Sequence, residues 1–164
     1  CMRLVDIVSR FKESADLVII DQTNNPGGSV GYLYAIAAMF APKPLKTPRH
    51  RFTINQASVF EALVDLAVTD TIENNAEAEE VIGHSIEGYP VNYQFVQFYR
   101  DYCRFVINQW NSGKTLTDPY FIWGIDTINP HPLVCYSGPL LILIDELDFS
   151  GGDFFPAIMQ DNNR

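Results

Sequence analysis

Ser150 lies in DELDFSGGDFF (145–155), directly after the apolar run PLLILI. A serine hydroxyl at the mouth of a helix has two uses. It can cap the helix by accepting a hydrogen bond from a backbone N–H two or three residues on. It can also attack a carbonyl carbon, if a base takes its proton and nearby N–H groups hold the resulting oxyanion. Gly151 follows it, and a glycine there lets a substrate backbone approach closely because it has no Cβ. Both readings stand on local chemistry, and the stretch is not the G-x-S-x-G elbow of α/β-hydrolases. A second turn, DQTNNPGGSV (21–30), has a similar build: an aspartate, a run of turn formers, Gly27–Gly28, and then a helical pattern. It lacks the lysine and the spacing of a phosphate loop.

The three histidines are His50, His84 and His131. His50 stands among Lys46, Arg49 and Arg51 and reads as a surface or edge-strand residue. His84 follows Gly83 and reads as a helix end. His131 lies between two prolines in NPHPL and is the candidate base for Ser150 within this sequence, because the 14 residues after Ser150 hold no His, Lys or Glu. Asp145, Glu146, Asp148 and Asp153 surround the serine. Their spacing fits no calcium loop, and Asp148 and Asp153 read as charges at a helix N-terminus. No metal and no cofactor is implied.

Elements that could position these turns follow from the apolar pattern. ADLVIID (15–21) and PLLILID (139–145) are short apolar runs of the kind buried on both faces of a parallel sheet. Residues 29–40 and those from 152 onward read as helices. Each apolar run therefore leads through a glycine-bearing turn into a helix, an α/β pattern that presents both turns at the carboxyl edge of one sheet. Residues 41–50 carry three prolines and read as extended chain, with strands expected over 51–55 and 120–128. Between the two strand–turn–helix units, 55–113 reads as a helical insertion or subdomain. Helices are expected over 56–83, broken at 70–75, and over 89–110, where Phe95, Phe98, Tyr102, Val106 and Trp110 recur at core spacing.

The chain has 164 residues, 47% of them apolar, enough for a domain with its own core. No apolar run reaches the ~20 residues needed to span a bilayer. The formal charge of −9, with no basic cluster, argues against nucleic acid as a partner. Cys1, Cys103 and Cys135 form neither a zinc pattern nor a disulfide framework. The first residue is Cys1 rather than Met, as expected of a processed or excised piece of something longer.

LVIIDQTNNPGGSV and GPLLILIDELDFSGGDFFPAIMQDNNR together resemble the S41 peptidases, the tail-specific or carboxyl-terminal processing proteases. The likeness is closest to a chlamydial branch of that family, on DQTNNPGGSVGYLYAIAAMF, KPLKTPRHRF and NPHP, and is weaker over 55–127. The resemblance implies a crotonase/ClpP-like ββα layered fold, residues 1–164 being part of a catalytic domain. It implies Ser150 as the nucleophile of a serine endopeptidase acting through an acyl-enzyme. The backbone of Gly27 or Gly28 and the N–H of Gly151 would form the oxyanion hole. The tail-specific pattern favours Ser-Ala-Ser at the nucleophile; its replacement here puts a Ser–Lys dyad in question, and the chlamydial branch uses an upstream His and a downstream Glu instead. The expected partners are a protein or peptide substrate, the remaining segments of a parent protease and a second copy in a homodimer, at an extracytoplasmic or secreted location. The isolated chain is expected to be inactive without the missing base. The rival reading is a catalytically silent relative that binds an apolar ligand or a partner chain.

Overall fold

The computed structural model describes residues 2–164. In chain order its elements are α1 (Met2–Ser14), β1 (Val18–Asp21), α2 (Val30–Met39), β2 (Leu45–Lys46), β3 (Arg49–His50), α3 (Gln56–Thr69), α4 (Asn75–Ile82), β4 (Ser85–Ile86), β5 (Tyr89–Pro90), α5 (Tyr93–Asn111), β6 (Tyr120–Phe121), β7 (Thr127–Ile128), β8 (Leu140–Leu143) and α6 (Gly151–Asp161). They fall into two compact units. The first comprises 1–47, 87–89 and 127–164; the second comprises 48–86 and 90–126.

In the first unit β1 and β8 pair in parallel, with Val18 opposite Leu140 and Asp21 opposite Leu143. The two apolar runs are thus neighbours, and both turns leave the same edge. The expectation that these strands are buried on both faces is corrected. Val18 is buried and Ile20 half-buried, but Leu17, Ile19, Leu141 and Leu143 are exposed. Side chains alternate along a strand, and the described elements cover one side of this pair only. α2 is apolar all round and correspondingly buried, through Leu33, Tyr34, Ala35, Ala37, Ala38 and Met39. Phe155, Ile158 and Met159 of α6 complete this core with Leu45, Ile128 and Tyr136. β2 pairs antiparallel with β7. Helix α1, over residues read above as no particular element, buries Val8 completely.

In the second unit α3 packs on α5 around Ile54, Ala62, Cys103 and Val106. All three of its helices start on an asparagine whose side chain accepts a backbone N–H three residues on: Asn55 from Ser58, Asn74 from Glu77 and Asn92 from Phe95. The expected strand over 51–55 shrinks to β3, just before it, and one isolated bridge at Thr53. That over 120–128 is cut by a tight turn in which Trp123 has φ 53°.

The C-terminal arginine ties the first unit together. Arg164 donates to the carbonyls of Phe40 (2.6 Å), Gly138 (2.8 Å) and Tyr136 (2.8 Å), with its guanidinium 5.9 Å from the Tyr136 ring centroid. Charge-assisted bonds contribute about 1.5–3 kcal/mol each before overlap is counted. Arg164→Ala is therefore expected to lower unfolding stability by about 2–4 kcal/mol in urea titration. Arg164→Lys is expected to recover less than half, because a point charge cannot fork across three carbonyls.

Candidate active site

The two turns are stitched by a carboxylate. Asp148 is buried and accepts from both loops: Asn25 N–H at 2.9 Å on Oδ1, and Asp145 N–H at 3.1 Å and Gln22 Nε2 at 3.3 Å on Oδ2. Asp145 accepts from Asn24 N–H at 2.9 Å and Leu147 N–H at 3.0 Å. Phe149 N–H donates to the Asn25 carbonyl at 2.9 Å. Gln22 Nε2 also reaches the Gly152 carbonyl at 2.6 Å. That carbonyl is free for a sequence reason. Its helical partner would be the N–H of residue 156, which is Pro156 and has none. The proline in α6 thus leaves an acceptor that docks the other turn.

Ser150 occupies the N-cap position of α6 with φ 56° and ψ −114°, and its side chain makes no capping bond. Ser29, at the start of α2, shows what a capping serine looks like here: extended backbone and Oγ accepting from Tyr32 N–H at 3.2 Å. The capping reading of Ser150 therefore fails. A non-glycine residue at such a φ/ψ costs roughly 1–3 kcal/mol and persists only when its surroundings enforce it. Its hydroxyl is left exposed and uncommitted to the helix.

Gly27 enforces the close approach. Its φ is 89°, and a Cβ there would lie 2.5 Å from the Phe149 carbonyl oxygen, 2.6 Å from Gly151 N and 2.9 Å from Ser150 Cβ. Gly27 N–H is already spent on Asn25 Oδ1 at 2.9 Å. The positive φ thus belongs to Gly27 rather than Gly28, where a Cβ would meet open space. Gly28 N lies 3.3 Å from where a Cβ on Gly151 would stand. Among the described residues, neither Gly28 N–H nor Gly151 N–H has a protein acceptor. Beside them opens a cavity of about 190 Å³, mainly apolar, walled by Ile20, Tyr32, Leu33, Ile36 and Phe155.

The candidate base is placed elsewhere. His131 N–H bonds the Ala38 carbonyl at 2.9 Å, at the far end of α2 from Gly27–Gly28. Eight residues of helix separate Ala38 from Val30, roughly 12 Å. Nδ1 of His131 accepts from Leu133 N–H at 3.2 Å, so the neutral ring carries its proton on Nε2 and offers no free lone pair there. Burial pushes its pKa down. His50 pairs through β3 with Tyr120, and His84 sits against Glu79. Asp148, read above as a helix-end charge, is instead the bridge between turns; the signal that could have found it is an aspartate two residues before a candidate nucleophile. Cys103 is buried, with its thiol pushed up to about 12 by burial and by Asp65 and Glu61. Cys1 lies outside the described residues.

The hydrogen bonds from Asn25, Asp145 and Gln22 hold the Asp148 carboxyl below the usual carboxylate range. A depressed folded pKa contributes stability that is present above the unfolded value, near 3.9, and is lost as pH falls through the folded one. The thermal midpoint of the chain is therefore expected to exceed that of Asp148→Asn by its full margin at pH 6. That margin is expected to shrink steadily below about pH 4. A margin independent of pH would remove the carboxylate from this role.

The residue pattern and the geometry agree with known proteins. Residues 3–164 match the model of peptidase family S41. A Chlamydia muridarum protein is 43% identical over 96% of this chain, and one from Chlamydia trachomatis 42% identical over 96%. The chain spans 26% of the length of each. Among solved structures, mature CPAF, the chlamydial protease-like activity factor, superposes with a TM-score of 0.95 at 40% identity, covering 99% of this chain and 31% of that one. CPAF complexed with lactacystin gives a TM-score of 0.94 at 40% identity. The mixed helix-and-strand architecture matches that of these structures, and the chain belongs to peptidase family S41.

Proposed function

We propose that this chain carries the nucleophile and the oxyanion donors of a serine endopeptidase. The observation that carries the reading is Ser150, strained and uncapped, beside two N–H groups without protein acceptors. Ser150 Oγ attacks the scissile carbonyl carbon while its proton passes to a base. The carbonyl oxygen takes up the negative charge and is held by Gly28 N–H and Gly151 N–H. Collapse expels the amine, which leaves with that proton, and water then releases the acyl group. Each oxyanion donor of this kind contributes about 2.7–4 kcal/mol to the transition state. Gly27 keeps the two turns in contact rather than donating. The apolar cavity beside Gly28 receives a substrate side chain.

The base belongs to a part of a longer polypeptide, since the backbone of His131 is held at the end of α2 opposite Gly27–Gly28; the resemblance supplies an upstream His and a downstream Glu. The fold reading is the crotonase/ClpP-like ββα layering, with the second unit as an insertion. The substrate is a protein or peptide, in an extracytoplasmic or secreted setting, with a second copy as the expected partner. The apolar cavity also supports the rival, a catalytically silent module that holds an apolar ligand there.

Casein-type proteolysis by the longer protein separates the two. Ser150→Ala is expected to lower kcat by roughly 10⁵–10⁶-fold, as removal of a triad serine does. Unchanged turnover would reject Ser150, and no turnover in either form, with apolar-ligand binding retained, would select the silent module. Gly27→Ala is expected to cost at least about 10²-fold, because its Cβ must drive the turns apart. Gly28→Ala, which meets no neighbour, is expected to stay within about tenfold of wild type.

A further inference from the structure

Gln22 stands where the two turns meet. Its backbone N–H extends the β1–β8 ladder by one bond, to the Leu143 carbonyl at 3.2 Å. Its side chain is buried and reaches from the first turn into the second. A primary amide carries two N–H donors on one nitrogen. Here Nε2 donates to the Gly152 carbonyl at 2.6 Å and to Asp148 Oδ2 at 3.3 Å. Both neighbours are acceptors, so the amide must turn its nitrogen toward them.

The Gly152 carbonyl belongs to the first turn of α6, directly after Ser150. Within that turn Gly152 N–H donates to the Phe149 carbonyl at 2.9 Å, and the N–H groups of Asp153 and Phe154 both reach the Ser150 carbonyl at 3.0 Å. These bonds orient the peptide that joins Ser150 to Gly151, and with it the Gly151 N–H. The bond from Gln22 ties the same turn to the one that holds Gly28. The fit there is close: a Cβ on Gly152 would lie 2.6 Å from the Asn25 carbonyl oxygen.

We propose that Gln22 is a positioning residue, which fixes the spacing between the Gly28 and Gly151 N–H groups and so sets the rate of the chemical step rather than the strength of substrate binding. The inference rests on the reading of Ser150 as nucleophile and of these two N–H groups as oxyanion donors. Donors to an oxyanion act only when held near 3 Å from one atom, and a displacement of about 1 Å costs about 10²-fold in rate. The amide must also be neutral. An ionised carboxyl in its place would set lone pairs against the Gly152 carbonyl and a second negative charge against Asp148.

The test uses labelled casein and the longer protein, with kcat counted per folded molecule from circular dichroism at each pH. Gln22 also borders the apolar cavity, and Gln22→Met keeps the side-chain length there while removing both donors. It is expected to lower kcat about 10²-fold, with KM within about threefold of wild type. Gln22→Glu adds a readout that packing alone would not move. Two carboxyls sharing a site raise the pKa of one of them, so this side chain is neutral, and able to donate, on the acid side. The ratio of its kcat to that of wild type is therefore expected to rise at least about fivefold from pH 8 to pH 5.5. A kcat for Gln22→Met within about threefold of wild type, an effect confined to KM, or a ratio for Gln22→Glu independent of pH would each overturn the proposal. If Gln22→Met does not fold, the pH ratio of Gln22→Glu decides alone. Failure of the underlying reading looks different: wild-type turnover would then survive Ser150→Ala.

Discussion

One buried carboxylate decides whether the first unit has a site. Asp148 is the common acceptor for Asn25 in one turn, Asp145 in the other, and Gln22 at the end of β1. Parallel pairing of β1 with β8 brings the turns to the same edge, but pairing alone leaves two flexible loops side by side. The carboxylate converts them into one rigid piece, because each N–H it holds would otherwise be left without a partner inside the contact. Pro156 extends the same clamp by freeing the Gly152 carbonyl for Gln22.

Rigidity is what allows strain to be kept where it is useful. Ser150 holds a backbone conformation that no ordinary cap requires, while Ser29 caps α2 in relaxed geometry. The contacts of Gly27 with Phe149, Ser150 and Gly151 leave no room for any side chain, so the approach of the two loops is set by backbone against backbone. N–H groups fixed in this way need no reorganisation when charge develops near them, which is the physical basis of transition-state stabilisation.

Much of this was legible in the residues, and the rest was not for identifiable reasons. The apolar runs ending in Asp21 and Asp145, each followed by a glycine turn and a helical pattern, point to the strand pair and to the edge that carries the candidate site. The φ of Ser150 is not encoded by its own side chain but imposed by tertiary contacts, so its sequence reads equally as a cap. Asp148 looks like a helix-end charge because two of its partners, Asn25 and Gln22, are more than a hundred residues away. Gly27 and Gly28 are indistinguishable until the turn is built. His131 sits in a rigid turn beside a candidate edge, yet hydrogen bonding to Ala38 carries it to the opposite end of α2. The half-covered sheet was read as fully buried because composition reports apolarity and not what lies across from it. Helix α1 passed unread although Leu4, Val8 and Phe11 recur at helical spacing.

The chain spans about a quarter of the length of the curated relatives it matches. The central claim concerns the part in hand: that Ser150, held between the two turns, is the nucleophile. It is tested most directly by treating the longer protein with a fluorophosphonate and mapping the adduct by peptide mass spectrometry. The account predicts a single stoichiometric adduct on Ser150, absent when the protein is denatured first. An adduct on another serine, or proteolysis that continues while Ser150 remains unmodified, would contradict it.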